Sequence, residues 1–231
     1  GKTRVLTSRV AHLVRDSAAP IAPERCVVVT FTNRAANEMR ARLETMIGAD
    51  RTRRLVLGTF HAVCVRFLRR WGTRLGLDPR FTIADTDDAR RLLRDVDRDA
   101  PVDATLAAIS RAKAHGWTPD ELRASAQHAP GSPAHTEHLA LCRTYAAYQQ
   151  QLRTSHALDF DDLLLLGVRL FREHPELTTH IDHVLVDEFQ DTNAVQYELL
   201  RRLSRHVSVV GDPDQSIYSW RHADVRHIER M

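Results

Sequence analysis

Residues 183 to 193 read His183-Val184-Leu185-Val186-Asp187-Glu188-Phe189-Gln190-Asp191-Thr192-Asn193, a short apolar run that stops at two adjacent carboxylates. Strands buried on both faces of a parallel sheet look like this, and functional side chains collect where such strands end. An Asp there can hold a hydrated Mg²⁺, and a Glu beside it can orient or deprotonate a water that attacks a phosphate. The stretch reads either as a Walker B element or as an ordinary strand running into a polar turn. Its partners elsewhere in the chain decide.

The first partner is at the other end of the sequence. Gly1-Lys2-Thr3-Arg4 precedes Val5, Leu6, Val10, Leu13 and Val14 in helical spacing, which predicts a helix from about Lys2 to Arg15. Gly-Lys-Thr at a helix start is how a P-loop ends: backbone N–H groups surround the phosphates, Lys reaches the β- and γ-phosphates and Thr coordinates Mg²⁺. The tripeptide is weak by itself and gains weight from Asp187-Glu188, because phosphate loop and carboxylate strand are two halves of one nucleotide site.

Between these ends a strand-loop-helix unit recurs. Cys26 to Thr30 is a β-branched apolar run, Phe31-Thr32-Asn33 a loop, and Ala35 to Ile47 a helix with Met39 and Leu43 on one face. Leu55 to Gly58, the loop Thr59-Phe60-His61 and a helix through Val63, Phe67 and Trp71 repeat the unit, as do His183 to Val186 with Ala194 to Leu203; a last strand, Val207 to Val210, ends at Gly211-Asp212. Such units predict an α/β fold, a parallel sheet with helices on both faces. From Leu77 to about Ser155 the strand signal disappears, and helical spacing takes over in Ala89 to Val96, Ala104 to His115, Pro119 to Ala126 and Glu137 to Arg153. The division this suggests is a sheet domain of residues 1–78 and 156–231 with an all-helical subdomain, 79–155, inserted in it. Leu158-Asp159-Phe160-Asp161-Asp162-Leu163 places acids in the first turn of the returning helix, where the macrodipole favours them.

Composition narrows the class. The chain is 43% apolar and 27% charged and has no apolar run near the ~20 residues of a membrane span, which excludes an integral membrane protein of the helical kind. Cys26, Cys64 and Cys142 stand far apart with no CxxC spacing, which argues for a reducing, cytoplasmic home and against a thiol-held metal. His128, His135 and His138 fall in a Pro/Gly stretch that reads as a solvated loop. The net charge of +3 hides an uneven distribution, because Arg51 to Arg80 holds eight arginines against one aspartate. That band suits a phosphate backbone or is a solvated helix face.

The last strand leads into Gly211-Asp212-Pro213-Asp214-Gln215-Ser216-Ile217-Tyr218-Ser219-Trp220-Arg221. A Gln there can hydrogen-bond a γ-phosphate or its attacking water, and an aromatic a few residues on can stack on a base. Aromatics that merely fill core would leave the GDxDQ pattern unexplained. With this loop in view the chain resembles the UvrD/Rep/PcrA-like superfamily 1 DNA helicases over nearly its whole length. Gly1-Lys2-Thr3 is similar to the tail of motif I, Thr30 to Ala36 to motif Ia, Gly58 to His61 to motif Ib, Asp187 to Asn193 to motif II and Gly211 to Arg221 to motif III. Phe189 stands where Tyr is common, Pro213 where Asp or Ala is common, and His222 adds bulk where Gly is usual.

The resemblance implies a RecA-like P-loop ATPase core that uses ATP and Mg²⁺. It assigns Gly1, Lys2, Thr3 and Arg4 to the nucleotide, with Lys2 on the β/γ-phosphates, Thr3 and Asp187 on the metal, Glu188 as general base and Gln215 as γ-phosphate sensor. Phe31, Asn33, Arg34, Thr59 and His61 would line a single-strand track, with Tyr218 and Trp220 as stacking platforms and Arg221 beside them. It further implies 3′→5′ movement on single-stranded DNA and at duplex junctions, in repair or replication, together with a second RecA-like domain that supplies arginine fingers. The motor of a RecB/AddA-type helicase-nuclease shares these motifs. A non-catalytic DNA-binding module would be expected to have lost one of Lys2, Asp187, Glu188 or Gln215, and a P-loop kinase has no use for Tyr218 and Trp220.

The 231-residue piece alone lacks the glycine-rich part of the phosphate loop, so its sheet is expected to miss the strand feeding that loop and to carry unpaired edges. Arginine fingers contribute about 10³–10⁵ in rate, so the isolated piece should show little ATP turnover and no unwinding. DNA-stimulated turnover by the piece at a helicase's rate would contradict this.

Overall fold

The computed structural model describes residues 2–126, 129, 131–204 and 206–212. At its centre are four parallel strands in the order β2-β1-β5-β6: β1 (Cys26–Thr30), β2 (Val56–Thr59), β5 (His183–Val186) and β6 (Val207–Val209). Cys26, Val28 and Leu185 point to one face, against Leu6 and Val10 of α1 (Lys2–Ala11) and Met39 and Leu43 of α2 (Asn33–Ile47). Val27, Val29, Val184 and Val186 point to the other, against α4 (Phe60–Trp71), α9 (Phe160–Glu173) and α10 (Ala194–Leu203). The strands are apolar at successive positions because helices cover both faces. This is the architecture of a RecA-like motor domain.

Local chemistry sets the helix starts. Thr32 caps α2, Thr59 caps α4 and Asn193 caps α10, each by accepting a backbone N–H three residues on. Asp159 and Asp162 form a reciprocal capping box at α9, as the acidic stretch predicts. The helix expected to Arg15 leaves α geometry at Ala11 and continues to Asp16 as one wider turn, closed by Ser17 N–H on His12 O.

Residues 79–155 hold α5 (Thr86–Val96), α6 (Val102–Ala114), α7 (Pro119–Ala124) and α8 (Pro133–Thr154), gathered around a separate apolar cluster that includes Leu93, Ile109, Tyr145 and Tyr148. Three features escape a reading by periodicity. Two parallel strands of two residues, β3 (Thr82–Ile83) and β4 (Ala157–Leu158), pair at the point where the chain leaves and re-enters this region. A short helix, α3 (Ala49–Arg54), precedes β2. His135 and His138 lie in the first turns of α8 rather than in a loop, and His138 Nε2 is 2.9 Å from Leu122 O. Elements of two to six residues carry no measurable period, and Ser132-Pro133 forms an N-cap and N1 pair instead of a turn.

Lys113, one of the chain's two lysines, is buried on α6. Its ammonium lies 2.6 Å from Asp159 and 2.7 Å from Asp162, and so ties α6 to the capping box of α9. Burial lowers the pKa of this lysine, but the pull of Asp162 and Asp159 outweighs it and holds the group above its ordinary value. Removing one partner of a buried pair leaves an uncompensated charge and costs about 3–5 kcal/mol. Lys113→Met should therefore shift the urea midpoint far down, and a midpoint within error of wild type would show that the ion pair contributes nothing net.

Candidate active site

The ladder that joins β1 to β5 runs one residue past the strand, with Asp187 N–H donating to Val29 O at 3.0 Å. That fixes where Asp187 leaves the sheet, at 2% exposure. Glu188, next in line, has φ 51° and ψ 44°, a left-handed conformation costing a non-glycine residue roughly 1–2 kcal/mol. Its N–H donates to Asp187 Oδ1 at 3.1 Å, which keeps the turn closed. Non-glycine residues held this way concentrate at functional sites.

The start of α1 faces this turn. Lys2 Nζ donates to Glu188 Oε2 at 3.2 Å and lies 4.0 Å from Asp212 Oδ2, and the Thr3 hydroxyl donates to Asp187 Oδ2 at 3.3 Å. The residues that sequence pattern assigned to one nucleotide site thus meet in space across more than 180 positions. Burial raises the Asp187 pKa and the neighbouring Glu188 charge adds to it, while the Glu188 N–H, Thr3 and Lys2 act against them. A buried carboxylate crowded by a second one fits a cation. Among the described residues no three His, Cys, Asp or Glu side chains form a metal cage. Mg²⁺ requires none, since it is held by one or two protein oxygens together with phosphates and waters, and Thr3 with Asp187 supplies such a pair. Arg4, one residue along α1, is exposed. Gly1, Gln215, Tyr218, Trp220 and Arg221, like Pro213 and His222, lie outside the described residues.

Beside the carboxylates a cleft of about 790 Å³ opens between the sheet's loops and helices α6 and α9. Phe31, Thr59 and His61 line it, whereas Asn33 and Arg34 are not among its walls: both are exposed on α2, and Arg34 pairs with Glu38 at 3.0 Å. Phe31 packs edge-on against Phe60, with centroids 5.5 Å apart, and His61 packs likewise against Phe160 at 5.8 Å. Phe160 is 50% exposed. The sequence reading passed over Phe160, Arg111, Asp191 and Asn193 as wall residues; the exposed aromatic in an acidic capping box was the available signal for Phe160.

The charged wall groups described are five aspartates (Asp85, Asp103, Asp159, Asp161, Asp191) and one arginine, Arg111. Asp103 pairs with Arg90 and Asp159 with Lys113, and burial followed by the Asp159 charge pushes the Asp161 pKa up. Aromatic faces and acceptor oxygens suit the faces and N–H edges of bases better than phosphates. The eight arginines of the basic band are absent from these walls. Arg54 pairs with Glu24 and Arg74 with Glu176, Arg66 donates to Leu55 O, and Arg69 and Arg70 lie over Phe81 and Trp71. Five of the eight are thus engaged by neighbouring groups of the chain itself.

A parallel α/β sheet that brings a helix-borne Lys-Thr pair onto an Asp-Glu strand end defines a P-loop-type nucleotide-binding class. The sequence profile of the UvrD/REP helicase N-terminal domain matches residues 1–231, and the chain belongs to that family. It is 41% identical over 242 aligned residues to the ATP-dependent DNA helicase PcrA of Leuconostoc citreum, covering 99% of this chain and 31% of that protein. The PcrA proteins of Staphylococcus epidermidis and Staphylococcus aureus are each 38% identical, again over 99% of this chain and 32% of theirs. The chain spans about a third of the length of these relatives. No helix among the described residues is long and apolar enough to cross a membrane.

Burial lowers the His61 pKa, so the folded state favours the neutral ring. Below the unfolded-state value of about 6.5 the unfolded chain binds the proton more readily, and stability falls as pH drops. Relative to His61→Gln, the wild type should lose urea stability between pH 7 and pH 5. A difference between the two proteins that does not vary with pH would place the ring in solvent.

Proposed function

We propose that this chain is the ATP-binding and hydrolysing half of an ATP-dependent DNA helicase. In this reading the sheet domain is residues 1–78 and 156–231, and 79–155 is a helical insertion. The convergence of Lys2 and Thr3 on Glu188 and Asp187, with an aromatic, acceptor-lined cleft beside them, carries the proposal. Lys2 binds the β/γ-phosphates, and Gly1 and Arg4 lie next to the nucleotide. Thr3 and Asp187 hold Mg²⁺, which when bound neutralises phosphate charge. Glu188 orients the attacking water and takes its proton, and Gln215 senses the γ-phosphate.

The cleft beside the site receives bases of single-stranded DNA through Phe31, Thr59 and His61. Stacking contributes about 1–3 kcal/mol per base and tolerates any sequence, as a translocating motor needs. Asn33, Arg34, Tyr218, Trp220 and Arg221 extend the track, and a second RecA-like domain supplies arginine fingers. The curated relatives are named as ATP-dependent DNA helicases, which supports the activity. Family resemblance supports 3′→5′ polarity, a role in repair or replication and a cytoplasmic location.

In the full-length protein, Glu188→Gln should bind ATP with affinity near wild type and lose turnover by about a hundredfold or more, the scale of a general base. Turnover within a few-fold of wild type would remove Glu188 from that role.

A further inference from the structure

Gln190 sits between the carboxylates and the cleft at 2% exposure. Its Nε2 donates to Glu188 Oε2 at 2.9 Å and, more weakly, to Asp191 Oδ2 at 3.4 Å. Its Oε1 accepts the Asp212 N–H at 2.9 Å. A Cβ on Gly211 would lie 2.7 Å from that same oxygen, with the Gln190 and Phe189 backbone nitrogens at 3.2 and 3.3 Å, so the loop after β6 is pressed onto this amide. One side chain thus joins the proposed general base, the loop that leads toward Gln215, and Asp191.

Asp191 is also a residue of the cleft. It lines the cleft with Phe31, Thr59 and His61, it is 7% exposed, and its Oδ1 is buried with no hydrogen-bond partner among the described residues. Buried polar atoms are nearly always satisfied, so an unpartnered acceptor on a side chain that lines a cleft becomes a place for a ligand's donor once the carboxylate turns toward the cleft. A nucleobase exocyclic amino or ring N–H group has the required chemistry, and a phosphate oxygen does not.

We infer that Gln190 is a positioning residue for Glu188 and that, with Asp191, it connects the base-binding cleft to the hydrolytic carboxylate. A base N–H bound at Asp191 Oδ1 draws that carboxylate toward the cleft and lengthens the weaker of the two Nε2 bonds. The amide then commits to Glu188. This rests on the reading of Glu188 as general base and of the cleft as a base site. The Nε2 bonds and the Oε1 bond have separable consequences, because a glutamate at 190 keeps an acceptor for Asp212 N–H and replaces the donor by an oxygen, whereas a methionine of similar volume loses both.

The test uses the full-length protein with Gln190→Met, Gln190→Glu, Asp191→Ala and Glu188→Gln, measuring ATP turnover with and without oligothymidylate or a mixed-sequence single strand, plus hydrogen exchange over 207–212. Both Gln190 variants should lose about tenfold or more in kcat with ATP KM within about threefold, and Asp191→Ala should lower the ratio of DNA-stimulated to unstimulated turnover. Exchange over 207–212 should quicken in Gln190→Met and stay near wild type in Gln190→Glu, a split that general loss of structure does not produce. If Gln190→Met fails to fold, Gln190→Glu alone carries the kinetic comparison. Gln190 variants with kcat and stimulation within about twofold of wild type, beside a dead Glu188→Gln, overturn this inference and leave the proposed function standing. An active Glu188→Gln overturns the assignment of the base itself.

Discussion

The site depends on the parallel pairing of β5 with β1. Cys26 opposite His183 through Val29 opposite Val186 sets a register that the Asp187 N–H extends by one bond to Val29 O. A slip of one residue would exchange the two faces of β5, sending Leu185 to the α4, α9 and α10 side and Val184 and Val186 to the α1 and α2 side. It would also carry both carboxylates away from Lys2 and Thr3. Packing on two faces and chemistry at the strand end are therefore fixed by one ladder.

Around that ladder the charges are arranged unequally. At the strand end, Lys2, Asp187 and Glu188 lie close to one another, with Glu188 held in a strained turn of the kind that concentrates at functional sites. At the far side of the cleft, Lys113, Asp159 and Asp162 are buried and matched, with Tyr148 and Gln149 donating to the same carboxylates. The first group is where the proposed chemistry falls, and the second fixes α6 and α9 relative to each other so that the cleft keeps its shape.

Much of the fold was legible because its long elements are periodic and its strands are continuous apolar runs. The helices α2, α4 and α9, the body of α8 and the strands β1 and β5 follow from the residue pattern, whereas the first turn of α8 does not. The β3 and β4 pair did not, since two residues define no period, and their pairing joins positions 75 apart in sequence. The arginine band stayed open at the level of sequence for a different reason: charge along a sequence says nothing about which face it occupies, and here several guanidinium groups go to neighbouring carboxylates, carbonyls and rings.

By itself the sequence determined the class of fold and singled out most of the candidate nucleotide set. Lys2, Thr3, Asp187 and Glu188 are identifiable because phosphate and Mg²⁺ chemistry admits few residue types at a helix start and a strand end. Only the tertiary structure decided which further residues lie beside them. Asn33 and Arg34, drawn from the same motif as Phe31, stay outside the cleft because the first turn of α2 faces solvent. Gln190 became visible only through its contacts, since an amide in a polar turn carries no pattern until its Oε1 is seen on Asp212 N–H and its Nε2 on Glu188. Residue types limit which chemistry is possible, and distances between atoms far apart in sequence select what is built from it.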